Sequence, residues 1–306
     1  MGKNKIIFIV GPTAVGKSEI ALKVAVKVGG EIISCDSMQV YKQINIANNK
    51  PFPIDQKKIK HHVIDLIEPE DEFDVVKFNR VAVEAIKSIH SAGKIPIVVG
   101  GSGLYVNVLL DGIFKGPTKN IELRSALEER ANIEGSASLH RELELLDGLA
   151  ASKIHPHDTK RVIRALEVCL SENKPISILQ KDREGLWGNY PIFLFAVNRP
   201  REELYAIVNK RVDEMFARGI IEEIKNIRGR KLSQTAHSII GVKEINGYLD
   251  GEYDIERAKY LMKLNTRHLA KRQLTWFRKE KRLDWVEINN NQTAEHIVDQ
   301  VVLKFN

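Results

Sequence analysis

Two spacings of apolar residues alternate along the first hundred positions. Ile6 to Val10 is a β-branched run that stops at Gly11, and Ile20, Ala21, Val24, Ala25 and Val28 then recur at helical spacing. This predicts strand, glycine loop, helix. Glu31 to Ser34 predicts a second strand ending at Cys35-Asp36-Ser37, and Val63 to Ile67 a third. A helix follows from Val75 to Ser91, closed by Gly93. Ile95 to Val99 is a further buried strand, ending in Gly100-Gly101-Ser102-Gly103. Strands and helices in this alternation argue for an α/β fold, a parallel sheet flanked by helices.

The pattern changes after Gly112 to Pro117, which reads as a linker. Residues 116–188 are charged and helix-periodic, punctuated by Gly135, Gly148, Pro156 and Pro175, and predict a helical insertion domain. Ile192 to Val197 returns the chain to the sheet. Long helices follow from Arg201 to Arg218 and Arg257 to Lys281, and a short terminal helix comes after Asn289. The expected organisation is a core of residues 1–115 plus 189–306, interrupted by the insertion.

Length and composition agree with this picture. At 306 residues the chain exceeds the usual single-core domain, and 43% hydrophobic with 28% charged residues is the balance of a soluble globular protein. Its longest apolar runs fall well short of the ~20 residues that a bilayer helix requires. Five apolar residues after Met1-Gly2-Lys3-Asn4-Lys5 are too few for a signal peptide. Cys35 and Cys169 are the only cysteines and fit a reducing compartment, so a cytoplasmic location is expected. Nothing in the sequence calls for a second copy, and a monomer is the expectation.

The net charge of +7 permits a nucleic-acid partner without requiring one, and its distribution carries more information. Arg267, Lys271, Arg272, Arg278, Lys279, Lys281 and Arg282 face a single acid, Glu280, and Trp276 and Phe277 interrupt the run. Charge alone reads as a solvated helical face. The aromatic pair adds the mixture by which bases and phosphates are bound.

The candidate chemistry begins at Gly11-Pro12-Thr13-Ala14-Val15-Gly16-Lys17-Ser18, which matches the Walker A pattern in its proper context, after a strand and opening a helix. Backbone N–H groups and the helix end converge there on one anion site. Lys17 adds a point charge, and the Ser18 hydroxyl is placed to ligate Mg²⁺. Such a loop senses phosphate oxygens and metal, so a nucleoside triphosphate and an organic diphosphate are both admissible. Asp36 ends the second strand, on the edge where ligands lie in open α/β sheets, and reads as a metal ligand, a general base or a cap. At the second glycine turn the Ser102 hydroxyl can donate to a diphosphate oxygen. No Asp or Glu follows that strand, which counts against ordinary ATP hydrolysis. His61-His62 and His155/His157 with Asp158 lack the spacing and further ligands of a zinc site.

Six blocks occur together and in order: the Gly11 to Ser18 loop; Asp36-Ser37-Met38-Gln39-Val40-Tyr41; Lys50-Pro51 before His61-His62-Val63-Ile64-Asp65; Gly100 to Tyr105; His155-Pro156-His157-Asp158 before Arg161 to Val168; and Lys271 to Arg278. In this the chain, over residues 6 to 285, resembles the bacterial tRNA dimethylallyltransferases of the IPP transferase family. The resemblance implies a P-loop NTPase-like core whose loop holds dimethylallyl diphosphate rather than ATP. The dimethylallyl group would pass to the exocyclic amine of the adenosine immediately 3′ of the anticodon, with Mg²⁺ required. Asp36 resembles the general base; Lys17, Ser102 and Arg211 resemble the other catalytic positions. Asp36, Ser37, Met38, Gln39 and Ser102 match positions that read the flipped-out base. Arg124, Lys160, Arg161 and Arg164 in the insertion, and Lys271, Arg272 and Arg278 near the C-terminus, match tRNA-contacting positions.

The chain departs from the family pattern at Asn45-Ile46-Ala47-Asn48-Asn49, where an Asp-Ile-Gly-Thr-Ala segment is usual, at Ser102 for Thr, and at Val242 for Tyr. Other classes remain open on the sequence: a P-loop small-molecule kinase, an adenylate isopentenyltransferase acting on a free nucleotide, and a non-catalytic RNA-binding protein. The insertion and the basic C-terminal block are not needed for the first two.

Overall fold

The structure, a computed structural model, describes residues 4–114, 116, 120–289 and 292–305. Met1 to Lys3, and Lys115 and Pro117 of the expected linker, lie outside them. Along the chain run β1 (Ile6–Val10), α1 (Lys17–Val28), β2 (Gly30–Ser34), α2 (Pro53–Lys58), β3 (His61–His62), α3 (Val75–Ser91), β4 (Ile95–Gly100) and α4 (Gly103–Asp111). Next come α5 (Ile121–Glu134), α6 (Ser136–Leu146), α7 (Gly148–Ala151), α8 (Thr159–Glu172) and α9 (Ile176–Leu179). The remainder is β5 (Ile192–Asn198), α10 (Arg201–Ala217), α11 (Ile220–Ile227), α12 (Gln234–His237), α13 (Val242–Leu249), α14 (Ile255–Phe277), β6 (Asp284–Glu287) and α15 (Ala294–Phe305).

Two compact units form, Met1–Leu110 with Leu186–Asn306, and Asp111–Gly185. The second unit ends a little before the residue 188 given by the pattern because Leu186 and Trp187 donate their amides to the carbonyls of Leu109 and Leu110 and so belong to the first.

The first unit is a six-stranded parallel sheet of order β3-β2-β4-β1-β5-β6. β1 is buried on both faces, as its unbroken apolar run requires of a central parallel strand. The side-chain period of two sorts it into two cores. Ile6, Phe8 and Val10 join Phe78 of α3 and Val106 of α4, while Ile7 and Ile9 join Ile20 and Val24 of α1 and Ile297 and Val301 of α15. Consequently the carboxyl ends of β1, β2 and β4 lie side by side, and Gly11, Asp36 and Ser102 emerge at one edge of the sheet.

Three elements differ from the pattern-based reading. The expected strand of Val63 to Ile67 is instead the two-residue β3, paired through His61 and His62 with Ile32 and Ile33. Val63 (φ 62°) and Asp65 (φ 54°) turn the backbone out of the extended region, and only Ile67 makes an isolated bridge, to Tyr41. The long basic helix starts at Ile255, where the Asp254 carboxylate accepts from the Arg257 N–H (2.8 Å), and stops at Phe277 rather than Lys281. Beyond it the Glu280 carboxylate accepts the Arg282 N–H (3.0 Å), a local bond that competes with helix continuation. β6 was not anticipated: a four-residue segment with acids at both ends carries too little apolar pattern to stand out, and its pairing with β5 supplies what the pattern lacks.

The second unit is helical, α5 to α9 around Leu127, Leu139, Leu143, Val162 and Leu166. Gly135 separates α5 from α6, Gly148 opens α7, and Pro175 precedes α9. No helix among the described residues is long and apolar enough to cross a membrane.

Candidate active site

The glycine loop leaves β1 at the centre of the sheet and turns through left-handed backbone at Ala14 (φ 67°) and Gly16 (φ 103°) before α1 begins at Lys17. Gly16 supplies that conformation at no steric cost, whereas Ala14 holds a sparsely populated one, as residues at ligand clamps often do. The loop is braced from outside. Thr13 donates its N–H to Gln273 Oε1 of α14 (2.7 Å) and accepts at Oγ1 from Arg211 Nη1 of α10 (3.2 Å); Arg199 Nε donates to the Val15 carbonyl (3.1 Å). Gly11, Pro12 and Val15 are buried as the base of the loop, and Ser18 is exposed at the start of α1.

Lys17 lies over the loop and donates from Nζ to the Pro12 carbonyl (2.6 Å). Burial, and then the neighbouring Arg211, push its ammonium down to about 7, against the pull of Asp36. Burial also lowers Arg211. Two cations held close, both partly desolvated and faced by one carboxylate, favour an anion between them.

Asp36 is that carboxylate. Its Oδ1 accepts the Met38 N–H (2.9 Å), a local turn at the end of β2 and not a helix cap, since no helix follows. Burial pushes its carboxyl up, against the lowering effects of the Met38 amide, Lys17 and the Gln39 amide. Ser34 Oγ donates to Gln39 Oε1 (2.8 Å), and Gln39 Nε2 donates to the carbonyls of Asn48 and Asn49 (3.3 Å each).

Two cavities adjoin along this edge, both within the first unit. One, about 460 Å³, is lined by Thr13, Ala14, Gly16, Lys17, Ser18, Asp36, Gln39 and Arg211 among others. The other, about 500 Å³, is bounded by Thr13, Asp36, Ser37, Met38, Ser102, Arg211 and Arg272, with an apolar wall of Met215, Ile239, Ile240, Met262 and Trp276. Asp36, Thr13 and Arg211 border both. The Trp276 indole packs so tightly on Gly103 that any Cβ there would overlap the ring.

The remaining candidates are more dispersed. Lys271 on α14 and Arg278 just past its end are exposed, and the apolar neighbours do not share their surface: Phe277 is fully buried and Trp276 turns into the cavity. The aromatic pair is therefore not displayed with the basic run. In the second unit Lys160 and Arg161 are exposed, while Arg124 and Arg164 pair with the fully buried Glu167 (2.5 and 3.0 Å). His62 pairs with Glu31 (2.6 Å), and His61 Nδ1 bonds the Ile59 carbonyl (2.8 Å).

Sequence reasoning did not single out Gln273, Arg199, Asn48 or Glu223. The first two brace the loop from 260 and 184 residues away, separations that no local pattern encodes.

The sequence matches the family described as IPP transferase over residues 39–280. It is 40% identical over 306 residues to a tRNA dimethylallyltransferase of Alkaliphilus oremlandii, covering 99% of this chain and 97% of that one. It is 42% identical over 302 residues to one of Carboxydothermus hydrogenoformans, covering 98% and 96%. Among solved structures, the full-length tRNA isopentenylpyrophosphate transferase of Bacillus halodurans is similar with a TM-score of 0.71 at 35% identity, covering 99% and 97% of the two chains. A eukaryotic dimethylallyltransferase acting on tRNA is similar with a TM-score of 0.82 at 28% identity, covering 98% of this chain and 78% of that one.

Proposed function

The chain belongs to the IPP transferase family, and from that premise we infer that it transfers a dimethylallyl group from dimethylallyl diphosphate to tRNA, releasing diphosphate. The observation that carries this reading within the site is the placement of Asp36 on the border of two cavities, one walled by the anion loop and the other largely apolar.

The acceptor we assign is N6 of the adenosine immediately 3′ of the anticodon. An amine in a stacked loop cannot reach a buried allylic carbon, so the base would be flipped into the apolar cavity, against Ser37 and Met38, with Gln39 on the side of the anion loop. There N6 attacks C1 of the donor. The N6–C1 bond forms as the C1–O bond breaks, its electrons leave with the diphosphate, and the N6 proton passes to the Asp36 carboxylate. Lys17, Arg211 and Ser102 would stabilise the charge growing on the leaving oxygen. The loop Gly11 to Ser18 would hold the diphosphate by its N–H groups.

Mg²⁺ fits this arrangement. Among the described residues no group of three His, Cys, Asp or Glu could cage a metal, and the Ser18 hydroxyl is the hard oxygen at the mouth of α1. An ion that keeps water and takes most of its ligands from substrate phosphates suits such a site. When bound it supplies countercharge to the diphosphate.

For tRNA we propose two basic surfaces, Lys271 and Arg272 of α14 with Arg278 at its C-cap, and Arg124, Lys160, Arg161 and Arg164 on the helical unit. A cytoplasmic location follows from such a substrate. Neutralising Lys271 and Arg272 together is expected to weaken tRNA binding and flatten the dependence of log Kd on log salt by about two phosphate contacts, measured by filter binding across a salt series. An unchanged slope would remove that helix from the interface.

The deciding experiment is incubation of the protein with unmodified tRNA, dimethylallyl diphosphate and Mg²⁺, followed by nucleoside mass analysis. The expected product is a prenylated adenosine from the anticodon loop. Folded protein that leaves the nucleosides unchanged would sink the reading, and strong ATP turnover on small acceptors without RNA would restore the kinase alternative.

A further inference from the structure

The segment at which this chain departs from the family pattern is also the wall shared by the two cavities. Asn48 and Asn49 border both, and Ala47 borders the apolar one. The segment is a closed turn. Asn49 donates its N–H to the Ile46 carbonyl and Lys50 its N–H to that of Asn45, each at 3.0 Å. Like the first turn of a helix, such a turn leaves its leading N–H groups without partners of its own.

One side chain collects them. The carboxylate of Glu223, in the first turn of α11, accepts the N–H of Asn45 (2.6 Å), Ile46 (2.8 and 3.0 Å) and Ala47 (2.9 Å). Bonds of this kind to an ionised acceptor are roughly twice as strong as neutral ones. Below the turn, buried Lys50 donates to the Tyr41 carbonyl (2.6 Å), Asn45 Oδ1 (3.0 Å) and Asp65 (2.5 Å), which fixes the far end.

From this turn an unbroken set of hydrogen bonds leads to Asp36. Asn48 Nδ2 donates to the Met38 carbonyl (2.6 Å), and Met38 donates its N–H to Asp36 Oδ1 (2.9 Å). In parallel, Gln39 Nε2 holds the carbonyls of Asn48 and Asn49. Displacement of residues 45–47 is therefore passed through Asn48 to Met38, the residue whose N–H orients the carboxylate.

We propose that Glu223 is a positioning residue of the transfer reaction: by gathering three amides of the Asn45–Ala47 turn it sets the wall on which Asp36 is aimed at the acceptor. This rests on the reading of Asp36 as the proton acceptor. Glu223 itself borders neither cavity and touches neither substrate. Its effect should accordingly fall on the chemical step and leave the overall binding of tRNA, proposed to come mainly from the basic surfaces, nearly unchanged.

The test is a Glu223→Ala variant of the full chain, assayed with tRNA and dimethylallyl diphosphate, with amide hydrogen exchange of the 45–50 segment followed in parallel. A misplacement of the order of 1 Å at a reacting group costs about 10²-fold. The expected kcat is accordingly lower by about 10- to 100-fold, with the KM for tRNA within about threefold and faster exchange at residues 45–47. Glu223→Gln keeps the shape and one carbonyl acceptor and should fall between; should the alanine variant not fold, the glutamine variant carries the same test, with an expected kcat loss of about threefold or more.

An unchanged kcat in a folded variant whose 45–47 amides exchange faster would overturn the inference. So would a loss that follows thermal stability and vanishes on cooling, since that is what a merely structural cap produces. Absence of transfer by the unsubstituted protein would instead overturn the functional reading beneath it.

Discussion

Asp36→Asn is expected to lower kcat by about 10²- to 10⁴-fold while leaving the Kd for tRNA within about threefold. The substitution is nearly isosteric, and the amide oxygen can still accept the Met38 N–H that orients the side chain. What it removes is the capacity to take a proton from N6 at the moment that nitrogen acquires positive charge. The binding energy proposed for the basic surfaces is made before that moment and should survive. Comparable losses in kcat and in tRNA affinity would assign Asp36 to recognition instead of proton transfer.

The pH profile sharpens the test. Burial holds the Asp36 carboxyl above its ordinary value, outweighing the Met38 and Gln39 amides and Lys17. A base works only when deprotonated, so kcat/KM should rise with pH through the shifted value and be lost as pH falls through it. The acid limb is expected above the usual aspartate range of about 3.9. In Asp36→Asn that limb should disappear.

Lys17→Ala is expected to lower kcat/KM for the donor by about 10²- to 10³-fold, the scale of removing one donor from the site of developing charge. The ammonium lies beside Arg211 in a desolvated setting, which disfavours its charge in the absence of an anion, and the diphosphate reverses that balance. Inhibition by inorganic diphosphate should weaken in the same variant, because product and leaving group occupy one place. Steady-state kinetics with diphosphate as competitor measures both. Undiminished inhibition would place the diphosphate elsewhere than over Lys17.

The sequence and the structure divide the site between them in an orderly way. Periodicity located β1, β4 and β5 because buried parallel strands are unbroken apolar runs, β2 by its shorter Ile32-Ile33 pair, and α1 and α3 because their apolar faces repeat at helical spacing. It failed at Val63 to Ile67, where an apolar-rich stretch is turned aside by two residues in the left-handed region, and at β6, too short and too charged to show a period. In sequence the basic run and its aromatic pair are adjacent, compatible with a solvated helical face or with a mixed surface for bases and phosphates. In three dimensions α14 sends Phe277 to the core and Trp276 to the cavity, since successive residues on a helix point about 100° apart.

By itself the sequence determined the chemistry carried by contiguous residues: a glycine loop whose spacing suits a diphosphate, an aspartate at the end of the next strand, a hydroxyl in the second glycine turn, and a basic helix. Each is a local pattern whose meaning is set by neighbours in the chain. Only the tertiary structure decided which distant groups complete the site. Gln273 braces the Thr13 amide, Arg199 braces the Val15 carbonyl, and Glu223 gathers the amides of Asn45, Ile46 and Ala47 across 178 to 176 residues. Hydrogen bonds to backbone atoms accept almost any donor or acceptor side chain, so they leave no signature in the sequence of either partner. Folding of the sheet and its flanking helices brings them within reach.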